Sequence, residues 1–334
     1  MYGIATYGSK MFNLAGARPL TYVGTMDVPI TLGKNNNAFQ SFASVCPAGS
    51  TLIAIPDNVS CPLRPSVSNV LDYRGLVISV DNAARSVSLN LNLDYTGVNY
   101  SFAGAPSERP SKVNVFCIYA EASIDGYGIK VIGGGQFPYV VDSRYGMFLS
   151  YKWDGIFTGN LTLPVADNAI VFCSWNNPDV AIVYDTASKT LKGYYNGGSQ
   201  SGISIYLKVC AFSIRVPVMP AWGIAIYGAD GRVSFTSEET PMLYRGQINT
   251  PNSGNAATYF SDADQAQGPM IPVFRIGGRL ATGVWFHLGI IRTGNAIVGG
   301  GTNIVATGDT SGRNYDTISY DSKPIPFIWA SDYF

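Results

Sequence analysis

One short pattern occurs three times along the chain. It reads Tyr2-Gly3-Ile4-Ala5-Thr6-Tyr7 at the start, Tyr127-Gly128-Ile129-Lys130-Val131-Ile132 in the middle, and Trp222-Gly223-Ile224-Ala225-Ile226-Tyr227 two thirds along. Each copy runs aromatic-Gly-Ile into alternating residues, then a Gly-containing turn, then a second short apolar run. In the third copy the turn is Gly228-Ala229-Asp230-Gly231 and the second run is Arg232-Val233-Ser234-Phe235. Alternation broken by a glycine turn is the sequence form of a β-hairpin. A chain that begins the same hairpin three times, roughly a hundred residues apart, is restricted to folds built from domain-sized repeats; the unit is too long for a solenoid. The pattern predicts three segments, 1–122, 123–217 and 218–334, joined by short linkers.

The stretches between the hairpins read as short strands. Thr51-Leu52-Ile53-Ala54-Ile55-Pro56 is a buried strand closed by Pro. Leu76 to Val80, a turn Asp81-Asn82-Ala83-Ala84-Arg85, and Ser86 to Leu91 read as a hairpin, and Ala181 to Leu191 aligns without gaps on Val77 to Val87. Asp185 falls on Asp81 and Lys189 on Arg85, which a fixed turn register would explain. Closing strands are expected at Val113 to Ala120, Lys208 to Phe212 and Ile325 to Ala330. Asn295-Ala296-Ile297-Val298 matches Asn168-Ala169-Ile170-Val171, Gly33-Lys34-Asn35-Asn36-Asn37 reads as a loop, and Gln247 to Gly268 reads as a long insertion. Asp262 to Gln267 supports one helical turn. The expected class is all-β: three tandem related β-sandwich, or small β-barrel, domains with almost no helix.

Charged residues make up only 13% of the chain, with 22 basic and 22 acidic side chains. With no basic run, phosphate neutralisation cannot drive nucleic-acid binding, nor is there a polybasic patch for an anionic membrane. No apolar run approaches the roughly 18 residues of a membrane span. The N-terminus carries the first hairpin in place of a signal-peptide pattern, so synthesis in the cytosol is expected. The five cysteines, Cys46, Cys61, Cys117, Cys173 and Cys210, form no Cys-x-x-Cys pair. They read as buried free thiols, with a Cys46–Cys61 bridge as the alternative if the protein matures outside a cell.

Catalytic, cofactor and metal patterns are not found in the sequence. His287 is the only histidine and lies in a strand-like run, where a structural or surface role is expected. Glu238 with Glu239 and Asp262 with Asp264 are the carboxylate pairs available to a glycosidase-type site, without a specific spacing. Gly133-Gly134-Gly135 and Gly299-Gly300-Gly301 are not followed by Gly-Lys-Ser/Thr and read as turns or close backbone approaches. Aromatic residues in or near loops are the strongest functional hint. Trp153, Trp175, Tyr194, Tyr195 and Trp285, with Tyr145 and Tyr151, are candidates for stacking on sugar rings, against the alternative that they fill cores and subunit interfaces.

The Tyr-Gly-Ile hairpin, with its Gly-containing turn and the closing run Val233-Ser234-Phe235-Thr236-Ser237, resembles a module of tailed-bacteriophage tail proteins. Trp222 to Ser237 fits best, Tyr127 to Ser143 has a longer turn, and Tyr2 to Leu14 is the most degraded copy. The resemblance covers about 15 residues per repeat. It implies a non-enzymatic structural protein of the virion, assembled in the host cytoplasm and placed at the tail tip or in a tail fibre. Implied partners are other tail proteins, copies of itself as a trimer or hexamer, and a host surface glycan or protein, with no nucleic acid, membrane insertion or cofactor. A lectin-like surface module and a capsid decoration or head-fibre protein are the alternatives.

Overall fold

A computed structural model describes residues 18–65, 72–94, 99–103, 105–118, 146–195, 198–219, 221, 225–227, 233–251, 256–281, 284–307, 317–320 and 323–334. These residues form antiparallel β-sheets with a single short α-helix, Asp262–Ala266. The chain is therefore all-β and sandwich-like. Among the described residues no helix is long and apolar enough to cross a membrane.

One arrangement of strands occurs three times. Lys112–Ile118 lies between Thr21–Asp27 and Thr51–Pro56; Ile205–Ile214 lies between Met147–Phe157 and Ile170–Trp175; Pro324–Trp329 lies between Gly246–Asn249 and Pro269–Pro272. In each case the last strand of the unit sits centrally between two earlier strands, which a strand of the companion sheet separates along the chain. A companion sheet repeats in the same way. Ser86–Asn92 is flanked by Asn35–Ser41 and Val77–Asp81, Thr190–Tyr195 by Asn160–Thr162 and Asn177–Asp185, and Ala296–Thr307 by Thr258–Tyr259 and Val284–Thr293. The three copies lie within residues 18–118, 146–214 and 225–334, called here the first, second and third modules.

The central strands are apolar because both their faces are covered. Val113, Val115, Phe116 and Cys117, and likewise Leu207, Val209, Cys210 and Phe212, are fully buried. Strands of the companion sheet alternate: Val87, Leu89 and Leu91 point inward while Ser88, Asn90 and Asn92 point away from the core. All five cysteines are buried free thiols. Cys46 is the hydrogen-bonding neighbour of Cys117, so the alternative Cys46–Cys61 bridge is not formed.

The second and third modules share sheets. Ile170–Trp175 pairs antiparallel with Pro269–Pro272, Phe172 opposite Pro272 and Cys173 opposite Ile271. Asn177–Asp185 pairs antiparallel with Val284–Thr293, Ala181 opposite Ile291 and Ile182 opposite Ile290. Equivalent strands of the two modules thus meet edge to edge, which gives the junction an approximate two-fold symmetry and removes two sheet edges from solvent. Glycine permits the approach: a Cβ at Gly289 would come within 2.6 Å of Val183 Cγ1 and 2.8 Å of Thr302 Cγ2. Gly300, the middle of the Gly299-Gly300-Gly301 run, lies against Ile291 and Ala181.

Four readings of local sequence change. Asn35 to Asn37 opens the strand Asn35–Ser41, because Asn36 turns inward and donates from Nδ2 to the Thr31 and Lys34 carbonyls at 2.9 and 3.0 Å, replacing an apolar core residue with a satisfied amide. Trp153, Tyr194 and Tyr195, read as lying in or near loops, are on strands, as are Trp175 and Trp285. The insertion Gln247 to Gly268 contains two strand segments and the helical turn, whose N-cap is Ser261. Asn168 to Val171 leads into a strand of one sheet and Asn295 to Val298 into a strand of the other, so that four-residue match joins non-equivalent positions.

Candidate functional site

The chain's one histidine sits in a polar cluster where the first module meets the third. Val284–Thr293 is covered on both faces, which brings His287 to 0% exposure. Arg275, just before Gly277–Ala281, is 6% exposed. Glu108 comes from the other module, at the end of the 3₁₀ turn Pro106–Glu108. Oε2 of Glu108 lies 2.7 Å from His287 Nε2 and 3.2 Å from Arg275 Nη2. Asn303 donates to both carboxylate oxygens at 3.4 and 3.5 Å, and Arg275 Nη1 donates to the Ser107 carbonyl at 3.0 Å. The histidine–carboxylate contact is close but off the axis of a good hydrogen bond, and neither ring nitrogen has a well-aligned partner.

The backbone continues the clasp. Asn58 Nδ2 donates to the Glu108 carbonyl at 2.9 Å while its Oδ1 accepts from the Ser60 amide, and the Val59 amide donates to the Arg275 carbonyl at 3.2 Å. Burial holds the His287 pKa down to about 4, with Arg275 adding to the drop and Glu108 opposing it. The imidazole is therefore neutral at pH 7. Burial pushes the Glu108 carboxyl up, but contact with His287 and the charge of Arg275 outweigh it and leave it below the ordinary range. Tyr194 is close enough to feel both charges, and burial pushes its hydroxyl up to about 12.

A histidine beside a carboxylate is the geometry of a general base, but a base must reach a substrate proton. With His287 fully enclosed and Arg275 nearly so, this one is sealed. What the cluster does is neutralise Glu108 at a junction: a half-buried carboxylate beside a buried imidazole is costly alone, and Arg275 supplies the compensating charge. Leaving the cluster, Lys323 Nζ donates to the Leu76 carbonyl at 3.1 Å, a second buried cation bridging the first and third modules.

The acidic candidates have structural partners. Glu239 is buried, receives Arg215 Nη2 at 2.5 Å and the Val218 amide at 3.1 Å, and so ties the second module's last strand to the third. Asp264 accepts from Trp329 Nε1 at 3.1 Å and from Ser261 Oγ at 2.6 Å. Asp262 and Asp264 lie in the first turn of the five-residue helix, and Glu238 is exposed. Among the described residues, no three His, Cys, Asp or Glu side chains converge as metal ligands would.

The aromatic candidates divide by burial. Trp175, Tyr194 and Trp285 are core residues, with Trp175 Nε1 donating to the Val180 carbonyl at 3.1 Å and the Trp285 ring packed over Gly278. Their faces are enclosed by protein because the strands carrying them are covered on both sides. Trp153 and Tyr195 are half-buried; Tyr195 Oη donates to the Gly202 carbonyl at 3.1 Å. Structure does not bring the five together as a platform. The repeat-motif residues Tyr2, Gly3, Ile4, Tyr127, Gly128, Ile129, Trp222, Gly223 and Ile224 lie outside the described residues, as does Tyr145. The hairpin that follows the third copy is present: Ala225–Tyr227 pairs antiparallel with Val233–Thr236.

Sequence reasoning missed Glu108 and Arg275 as partners of His287. Nothing in their local sequence marks them, since the three come together only when distant modules dock.

Fold and junction define an all-β protein of three topologically equivalent antiparallel modules, locked by shared sheet edges and ion pairs between modules. The chain belongs to a family of unknown function, DUF6453, whose model matches residues 5–309. No curated protein matches the sequence. No solved structure matches it either.

Proposed function

We propose that this chain is a non-enzymatic structural protein of a tailed-phage virion, placed at the tail tip or in a tail fibre and contacting the host surface. The observation that carries this reading is the use made of its buried polar groups. The single histidine, the half-buried Glu108, the buried Glu239, and the cations Arg275 and Lys323 are all spent on joining one module to another. Junctions tied in this way favour a stiff body over the mobile, open clefts that catalysis uses. The Tyr-Gly-Ile hairpins add the resemblance to tail proteins. Copies of the chain and other tail proteins are its expected partners, assembled in the bacterial cytoplasm.

Electron microscopy of particles from an infected culture, labelled with an antibody against this chain, tests the reading. Label at the tail end supports it. Label on the head would make the chain a decoration or head-fibre protein, and unlabelled particles would overturn the virion assignment altogether.

A further inference from the structure

Among the described residues, one face of the first module's companion sheet is left uncovered. Asn35 stands opposite Asn92, Asn37 opposite Asn90 and Phe39 opposite Ser88, while Val77 and Ser79 continue the same rows on the third strand. These side chains point away from the core. Phe39 is 69% exposed and Val77 49%. Across 35–41, 77–81 and 86–92 the one charged residue is Asp81, exposed at the turn end of the outward row.

We propose that this face, centred on Phe39, Asn37 and Asn90, is a binding site for neutral carbohydrate. The inference rests on the host-contact part of the reading above and names its chemistry. Asn90 Nδ2 donates to Oδ1 of both Asn35, at 3.2 Å, and Asn37. That leaves the amide N–H donors of Asn35 and Asn37 and the Asn90 oxygen directed to solvent, alternating donor and acceptor along the sheet. A pyranose ring offers hydroxyls that both donate and accept, plus an apolar C–H face that fits a phenyl ring. The single carboxylate, Asp81, disfavours acidic ligands.

Comparison between modules separates this from a protein-docking face. Positions equivalent to Val77, Ser79 and Asn90 in the second module are Ala181, Val183 and Tyr194, all buried and mostly apolar. Where protein covers this surface, the residues are those of a core; where it is open, they are amides and hydroxyls. Asparagine is a poor strand former, so folding gives no reason for this density of it on paired strands.

The test uses the full chain on an array of neutral glucan, mannan, galactan and N-acetylglucosamine polymers, with alginate and hyaluronate as acidic controls. The expected result is binding to at least one neutral polymer, weakened about tenfold or more by Phe39→Ala and by Asn37→Leu, with unchanged unfolding midpoints in both variants. Binding to no neutral polymer, binding to acidic polymers alone, binding untouched by either substitution, or self-association in sedimentation that Phe39→Ala abolishes would each overturn it. Particle labelling reads out separately. Labelled tails without sugar binding remove this site and keep the virion assignment, whereas sugar binding by a protein absent from particles does the reverse.

Discussion

Arg85 and Lys189 share a left-handed backbone, each with φ of 54°, and each is the last residue of a four-residue turn. The turns they close are in the same register: Asp81 stands opposite Ser86, and Asp185 opposite Thr190. Asp81 Oδ1 accepts from the Ala84 amide at 2.9 Å, and Asp185 Oδ1 accepts from the equivalent Ser188 amide at 3.2 Å. Two modules therefore keep one turn geometry through different residues.

The left-handed region costs a side chain about 1 kcal/mol relative to glycine. Lys189 reaches only the fully exposed Asp167, a pair that solvent screens. Lys189→Gly is expected to raise stability by about 0.5–1 kcal/mol. Arg85 also donates from Nη1 to the Cys46 carbonyl at 2.9 Å, so Arg85→Gly is expected to lower stability by about 1 kcal/mol, the lost charged hydrogen bond outweighing the relief. Urea unfolding of the two variants measures the difference; equal shifts would refute it.

Acid should loosen the clasp between the first and third modules. His287 has a folded pKa of about 4 against 6.5, so between these values the unfolded chain binds more protons and stability falls as pH falls. The full drop corresponds to about 3 kcal/mol by pH 4. Glu108, lowered from 4.5, contributes stability present above that value and lost as pH falls through its lower folded pKa. Neither group contributes a slope above about pH 7.5. Denaturant midpoints from pH 8 to 4 should therefore fall below about pH 6.5, and His287→Gln, which cannot protonate, should flatten the upper part of that fall.

Gly289 is the contact point between the second and third modules. Gly289→Val would drive a side chain into Val183, Thr302 and the Ile182 carbonyl. Overpacking of this order costs about 1–3 kcal/mol or more. Since the shared sheets hold these modules together, the expected outcome is a lower midpoint with faster hydrogen exchange at Ile182 and Ile290 than at Val113. Slow exchange at all three positions would argue that the junction tolerates the wedge.

Arg245 and Asp332 form the most enclosed ion pair among the described residues, bonded at 2.8 and 2.6 Å with side-chain exposures of 1% and 3%. Arg245 also stacks 4.3 Å from the Trp329 ring. Removing one partner strands a buried charge, so Asp332→Ala is expected to cost about 3–5 kcal/mol, whereas replacing both members with apolar residues of similar volume should recover most of it. A double-mutant cycle by thermal unfolding checks this, and additive losses would show the pair to be uncoupled.

Much of the strand framework was legible in local residues. Thr51–Pro56 is found with the bounds its apolar run implies, and the match of Ala181–Leu191 to Val77–Val87 corresponds to one shared hairpin register. Asn35–Ser41 was not legible, since an asparagine run reads as turn chemistry until Asn36 finds the Thr31 and Lys34 carbonyls. Met147–Phe157 was hidden by polar residues alternating along a half-exposed strand. Trp153, Tyr194 and Tyr195, read in or near loops, are strand residues, because ring size marks a core and a binding surface alike.

The sequence by itself determined the all-β class, the hairpin turns and the bounds of strands such as Thr51–Pro56. Such features are set within about ten residues, by alternation and by turn residues with particular backbone needs. Only the tertiary structure decided that the second and third modules share edges, that His287 meets Glu108 and Arg275, and that the Asn37 and Phe39 face stays open. Those outcomes depend on residues far apart in the chain, whose contacts form when modules dock and leave no local pattern to read.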